Sequence, residues 1–244
     1  MPTASPLLRG LAWVSAIAFA LAGVLYVGLT LGLFARPPDL PPTTDFVDHL
    51  LSDGDFRRSI WPIDFASSLL YALAFFTTAL LARPLVALGV DRDPRGWIAA
   101  TALVVGAVLG ISAQLIFIGA RQVQLDIAYC DCGYKVQEVI SQNWAMWLIE
   151  GAVGWLINGA GVAFAVGVVA AGSSLGGTAM SSGWRLLAWL IGAVLVLSVT
   201  VGVLGIEGPI GPLLIGLETG VLIPIWLAWL ALRAPRGGEN ATPA

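Results

Sequence analysis

The sequence predicts an all-α integral membrane bundle of six transmembrane helices. Three observations predict it. Apolar residues make up 58% of the 244 residues and charged residues only 11%, against roughly 25% charged in soluble domains. A soluble core this apolar would leave too little polar surface to cover it. Six runs then reach the roughly 20 residues that cross about 30 Å of hydrocarbon: Leu11–Phe34, Trp61–Ala82, Trp97–Ala120, Trp144–Ala171, Leu186–Ile206 and Pro209–Leu232. They are spread from end to end, so residues 1–233 read as one transmembrane domain. Residues 234–244 read as a disordered cytoplasmic tail.

The first run follows Arg9 and is 24 residues long. A signal peptide has an apolar core of roughly 7–15 residues and a small-residue cleavage site, so this run is expected to be a retained first helix. The connection 35–60 opens with Pro37 and Pro38. Within it Thr44 is a candidate N-cap for a short extracytoplasmic helix carrying Phe46, Val47, Leu50 and Leu51, ended by Asp53-Gly54. Helix 2 then starts at Trp61-Pro62. In residues 121–143 the ends of helices 3 and 4 are expected to project past the bilayer around a turn at Cys130–Gly133. Only Glu207 and Gly208 separate helices 5 and 6, and Pro209 and Pro212 suit a helix start, which makes a tight hairpin. No internal repeat of three plus three helices is visible.

Orientation follows from Lys and Arg in short loops. With the N-terminus inside, the cytoplasmic side holds Arg9, Arg83, Arg92, Arg95, Arg185, Arg233 and Arg236. The outer side holds Arg36, Arg57, Arg58, Arg121 and Lys135. That bias puts both termini in the cytoplasm, and the expected location is a bacterial inner membrane. Trp side chains prefer membrane interfaces. Trp13, Trp97, Trp184, Trp189, Trp226 and Trp229 fall near the inner boundary, Trp61, Trp144 and Trp147 near the outer one, and Trp155 at mid-depth.

Several functions are disfavoured. A net charge of −3 gives no basic footprint for nucleic acid. The single histidine, His49, cannot build a multi-histidine haem or zinc site. The chain has no GxxxxGK[ST], HExxH or GxSxG motif. No cofactor, metal or catalytic residue is therefore assigned. Helices 1, 3 and 5 lack an acidic or basic residue in their cores, so no chain of acids crosses the membrane.

The informative residues are polar groups inside the spans, which are costly in lipid and mark function by default. They are the acids Asp64, Glu150 and Glu218 and the amides Gln114 and Asn158. Asp64, Gln114, Glu150 and Glu218 are expected at one depth in the outer part of the membrane. On helix 2, Asp64, Ser67, Ser68, Tyr71 and Thr78 share a side; on helix 4, Glu150, Gly154, Asn158, Gly161 and Ala165 do; on helix 3, Gly106, Gly110, Gln114 and Arg121 do. Small and polar faces pack against other helices, so these should point inward. The same reasoning applies, with low specificity, to the pairs Gly28/Gly32, Gly106/Gly110 and Gly216/Gly220.

Two explanations compete for the cluster. One is an outward-facing ligand pocket lined by Asp64, Tyr71, Gln114, Glu150, Asn158 and Glu218, with Arg57, Arg58 and Arg121 at its rim. The other is internal hydrogen bonding that fixes helix register, with Asp64 capping the start of helix 2. A second feature is Cys130-Asp131-Cys132. Cysteines two apart meet disulfide geometry poorly. A strained redox pair, bridges to another chain, or thiolate ligands with Asp131 and His49 are the alternatives to two plain loop cysteines.

The stretch DFVDHLLSDGDFRRSIWPIDFASSLLYALAF and the closing WRLLAWLIGAVLVLSVTVGVLGIEGPIGPLLIGLETGVLIPIWLAWLALR resemble a group of uncharacterised bacterial six-helix membrane proteins, a domain of unknown function. The resemblance covers most of the chain, implies the same fold and brings no catalytic residue. The reading that results is a non-enzymatic polytopic protein whose polar pocket binds a small ligand or a partner subunit. Its surroundings are the lipid bilayer, with a second membrane subunit or further copies of itself as partners. The rivals are a small cation- or proton-coupled secondary transporter and a membrane enzyme using paired carboxylates such as Glu150 and Glu218.

Overall fold

The structure is a computed structural model that describes residues 6–36, 39, 41, 44–88, 93–128, 136–176, 179–206 and 210–233. Cys130 and Cys132, the turn at Glu207–Pro209 and the tail from Ala234 lie outside them. So do the side chains of Phe46, Val47 and Leu51. The elements are α1 (Pro6–Thr30), α2 (Phe46–Leu88), α3 (Pro94–Ala128), α4 (Val136–Leu175), α5 (Ser182–Val203) and α6 (Ile210–Arg233). All six are long and apolar enough to span a membrane. The protein is a polytopic, all-α membrane protein.

α1 ends where glycine lets it. Gly32 has φ +66°, a conformation that L side chains avoid. The Leu33 N–H reaches the Gly28 carbonyl and the Gly32 N–H the Leu29 carbonyl, the paired bonds of a Schellman cap. α5 closes in the same way. Gly205 has φ +62°, the Ile206 N–H meets the Val201 carbonyl and the Gly205 N–H the Gly202 carbonyl. These caps stop both helices before the ends that hydropathy predicted.

The separate surface helix between helices 1 and 2 is corrected. α2 is one helix of 43 residues that runs through Gly54 and Pro62. Its first internal bond joins the His49 N–H to the Asp45 carbonyl, so the cap position is Asp45, one residue after Thr44. Asp53 does not stop the helix but pairs with Arg57 one turn on, Nε to Oδ2 at 2.5 Å. Such i,i+4 pairs support a helix. At about 1.5 Å per residue α2 is roughly 65 Å long, twice what a bilayer needs. α3 and α4 also overrun the bilayer, to Ala128 and from Val136.

The helices pack in chain order, and α6 closes the ring against α1 and α5. α2 also touches α4, whereas no contact joins α4 to α6 among the described residues. Phe19 of α1 fills the middle. Its ring lies edge-on to Tyr71, Phe75 and Phe164, with centroids 5.4–6.4 Å apart. Buried hydroxyls join α1 to α2. Thr77 and Thr78 donate to backbone carbonyls one turn back, so the 2.6 Å bond between Ser15 and Thr77 runs from Ser15. Outward surfaces carry Trp97, Trp144, Trp147, Trp155 and Trp189. Trp184 and Trp226 differ from the interfacial role expected of them. Both are fully buried and stacked 4.7 Å apart, and the Trp184 indole N–H donates to the Trp226 carbonyl.

Asp93 opens α3. Its Oδ1 accepts the Arg95 N–H at 2.9 Å, and that bond holds its carboxyl below the usual range. The cap is therefore intact above the ordinary aspartate range and is lost as pH falls through and below it. Amide exchange at Arg95, corrected for the intrinsic effect of pH, should accelerate in acid. Constant protection would mean that the carboxyl does not hold this turn.

Candidate functional site

The site grows from Arg121, a charged side chain only 4% exposed. Arg121 and Gln114 are seven residues apart and share a face of α3. The Arg121 Nη2 donates to Glu150 Oε1 of α4 at 2.7 Å, and Nη1 donates to Gln124 Oε1 at 2.5 Å. Its guanidinium carbon lies 5.2 Å from the Phe117 ring centroid, within cation–π range. Nε has no partner among the described residues. From α2, Arg57 Nη1 comes within 3.6 Å of the same Glu150 oxygen. One carboxylate thus serves two guanidiniums, and charge-assisted bonds of this kind are the strong ones. Asp64, half-buried, sits in the fields of Arg121, Arg57 and Glu150. Arg57 and Asp64 are also seven apart, which puts both on the α2 face that meets the other two helices.

The cluster is open because its neighbours are short. Asn158 of α4 lies against Gly202, close to the end of α5. Residues 143–157 of α4 therefore continue past α5. With α4 and α6 out of contact, the charged faces border a vestibule. A side chain added at Gly154 would meet nothing within 4 Å, and the Glu150 and Arg57 side chains are 38% and 33% exposed.

A second polar group lies on the α1, α5 and α6 side. α6 is α-helical over Ile210–Leu217, widens to a π turn at Glu218–Leu222 and resumes at Ile223. The Ile223 N–H bonds to the Glu218 carbonyl, five residues back. Pro224 follows and offers no N–H, so the Thr219 carbonyl has lost its helical donor. π turns occur often at functional sites. Glu218 on this turn is 6% exposed. Ser198 of α5 lies beside its carboxyl, while Oε2 has no partner among the described residues. Thr219 donates to the Ile215 carbonyl, so in its 2.8 Å bond with Tyr71 the Tyr71 hydroxyl is the donor. Tyr26 of α1 is within electrostatic range of both Glu218 and Asp64.

The chain matches no family model, no curated protein and no solved structure.

The expected pocket residues thus separate. Asp64, Glu150 and Arg121 come together, with Arg57 as a wall and not a rim. Gln114 is half-buried on the Arg121 face. Tyr71 and Glu218 belong to the second group, and Asn158 to the α4–α5 seam. Glu150 and Glu218, paired in the enzyme reading, have different partners. Gln124, Ser198, Thr219 and Tyr26 were missed. Spacing could have found Gln124, three residues after Arg121, and Thr219, next to Glu218. Ser198 stands in a helix without an acid or amide and carried no signal. No three His, Cys, Asp or Glu residues are grouped as metal ligands among the described residues.

Proposed function

We propose that this is a non-enzymatic membrane protein whose vestibule binds a small zwitterionic solute. The observation that carries the reading is the alternation of charge in one half-open site: Arg57 and Arg121 against Asp53, Asp64 and Glu150. Two guanidiniums stand among three carboxylates, so a ligand of a single sign would leave groups of the opposite kind unmatched. A zwitterion can instead place its carboxylate near Arg57 and its ammonium near Asp64. The proposal keeps the orientation read from the loops, with the vestibule outward, both termini cytoplasmic and the host membrane a bacterial inner membrane. It also keeps the kinship with uncharacterised six-helix bacterial proteins.

Thermal unfolding in nanodiscs tests it with an amino acid, a simple carboxylate and a simple amine as probes. The amino acid should raise the midpoint more than either single-charge probe, and Arg57→Gln should remove that difference. Equal shifts from all three, or none, would sink the reading. A second reading, a small secondary transporter, is favoured by the interruption of α6 inside its span, since carriers place sites at broken helices.

A further inference from the structure

At the vestibule end α4 outlasts its neighbours. Asn158 lies against Gly202, just before α5 ends, and Gly211 in the first turn of α6 lies against Val201. The 22 residues of α5 rise about 33 Å, close to one hydrocarbon thickness. The capped end of α5 thus marks the edge of the hydrocarbon on this side. Glu150 stands about two turns beyond Asn158 on α4, so the vestibule charges lie among the lipid headgroups. The α4 face that α5 covers farther in is bare here. Gly161 on that face packs on Val199, whereas a Cβ on Gly151 or Gly154 would meet nothing within 4 Å among the described residues. Trp155, Val162 and Val166 form an exposed apolar column that runs from this opening down the hydrocarbon.

The charges beside the opening form one ladder joined by contact: Asp53 to Arg57, Arg57 to Glu150 at 3.6 Å, and Glu150 to Arg121 at 2.7 Å. Both guanidiniums approach Oε1 of Glu150, and no hydrogen bond reaches its Oε2 among the described residues. We propose that this open side docks a zwitterionic phospholipid of the adjoining leaflet. Its phosphate lies against Arg57, its ammonium meets Glu150 Oε2, and its acyl chains run down the α4 column. Lipid tails are as apolar as that column, so the chains gain little by lying there and the headgroup charges select the lipid. An anionic phospholipid brings no ammonium to Glu150. The inference rests on the zwitterion reading of the vestibule and gives the ligand an entrance from the bilayer.

Native mass spectrometry of the delipidated full chain tests it, after titration with equal amounts of phosphatidylethanolamine and phosphatidylglycerol of the same acyl chains. The wild type should retain the first over the second by about tenfold or more, the size of one bond to a charged group. Glu150→Gln should bring the ratio near one, and Glu150→Asp should keep the preference, which guards against a variant that misfolds. Gly151→Trp places its ring in open space. It should cut phosphatidylethanolamine retention by a similar factor and keep the wild-type unfolding midpoint. Equal retention of both lipids by the wild type, or a preference unchanged in Glu150→Gln, overturns the lipid site. Retention unchanged in Gly151→Trp overturns its place on α4. A midpoint raised by the free amino acid, without any lipid preference, overturns this inference and leaves the vestibule reading standing. A lipid preference without an amino-acid effect does the reverse, and the absence of both overturns both.

Discussion

Glu150→Ala should destabilise the protein by about 3 kcal/mol, because it strands a buried guanidinium. Arg121 is almost fully enclosed, and Glu150 is the one carboxylate bonded to it among the described residues. The direct contacts that would remain among the described residues are Gln124 and the Phe117 ring face, neither of which carries a negative charge. The loss falls at the lower end of the range for broken buried pairs because the Glu150 side is open to water. Glu150→Gln keeps an acceptor in place and should lose about half as much. The double variant Arg121→Met/Glu150→Leu removes both charges and should recover to within about 1 kcal/mol of wild type. Denaturant titration of the three variants in one detergent gives the comparison. A double variant no better than Glu150→Ala would mean that the pair contributes shape and not charge.

The second large effect is expected at Gly23, and it is asymmetric. A Cβ on Gly23 would lie 2.5 Å from the Gly220 Cα and 2.6 Å from its nitrogen, backbone atoms that cannot swing aside. A Cβ on Gly220 would meet its nearest atom, the Gly23 carbonyl carbon, at 3.6 Å. Gly23→Ala should therefore force α1 from α6 and cost about 2–3 kcal/mol. Gly220→Ala should stay within about 0.5 kcal/mol of wild type. Thermal unfolding of both variants checks it, and equal losses would contradict this contact geometry.

The three glycine pairs show how much the sequence could say. All three have one spacing and met three fates. Gly216 and Gly220 face α1, as small residues in membrane helices do. Gly106 seats the Phe164 ring beside the Ala160 carbonyl, and Gly110 seats the Phe75 ring. Gly28 lies under the Phe34 ring, and Gly32 caps the helix. Hydropathy identified six spans, because lipid imposes its period on everything it touches. Which small face meets a helix and which meets a ring depends on side chains distant in sequence. The same limit governs the candidate site. Acids inside spans were visible as individual residues, and their grouping was not, since Arg57 joins Glu150 only because α2 fails to stop at Gly54. Helix length was the hidden variable, and local composition around Asp53-Gly54 argued for a stop that an ion pair one turn later overrode.

The widened turn in α6 has a consequence for chain length. It holds one residue more than a regular helix would over the same rise, and each residue turns a helix by about 100°. Deleting Val221, whose side chain is exposed, would let α6 wind evenly. With Trp226 still anchored on Trp184, everything before the deletion would rotate by roughly a quarter turn about the helix axis. Glu218 and Thr219 would swing away from Ser198 and Tyr71, and Gly216 would leave Val27. The surplus residue thus acts as a phase setter: it lets one helix show an aromatic anchor at one end and an acid at the other, to neighbours that an unbroken spiral could not serve together.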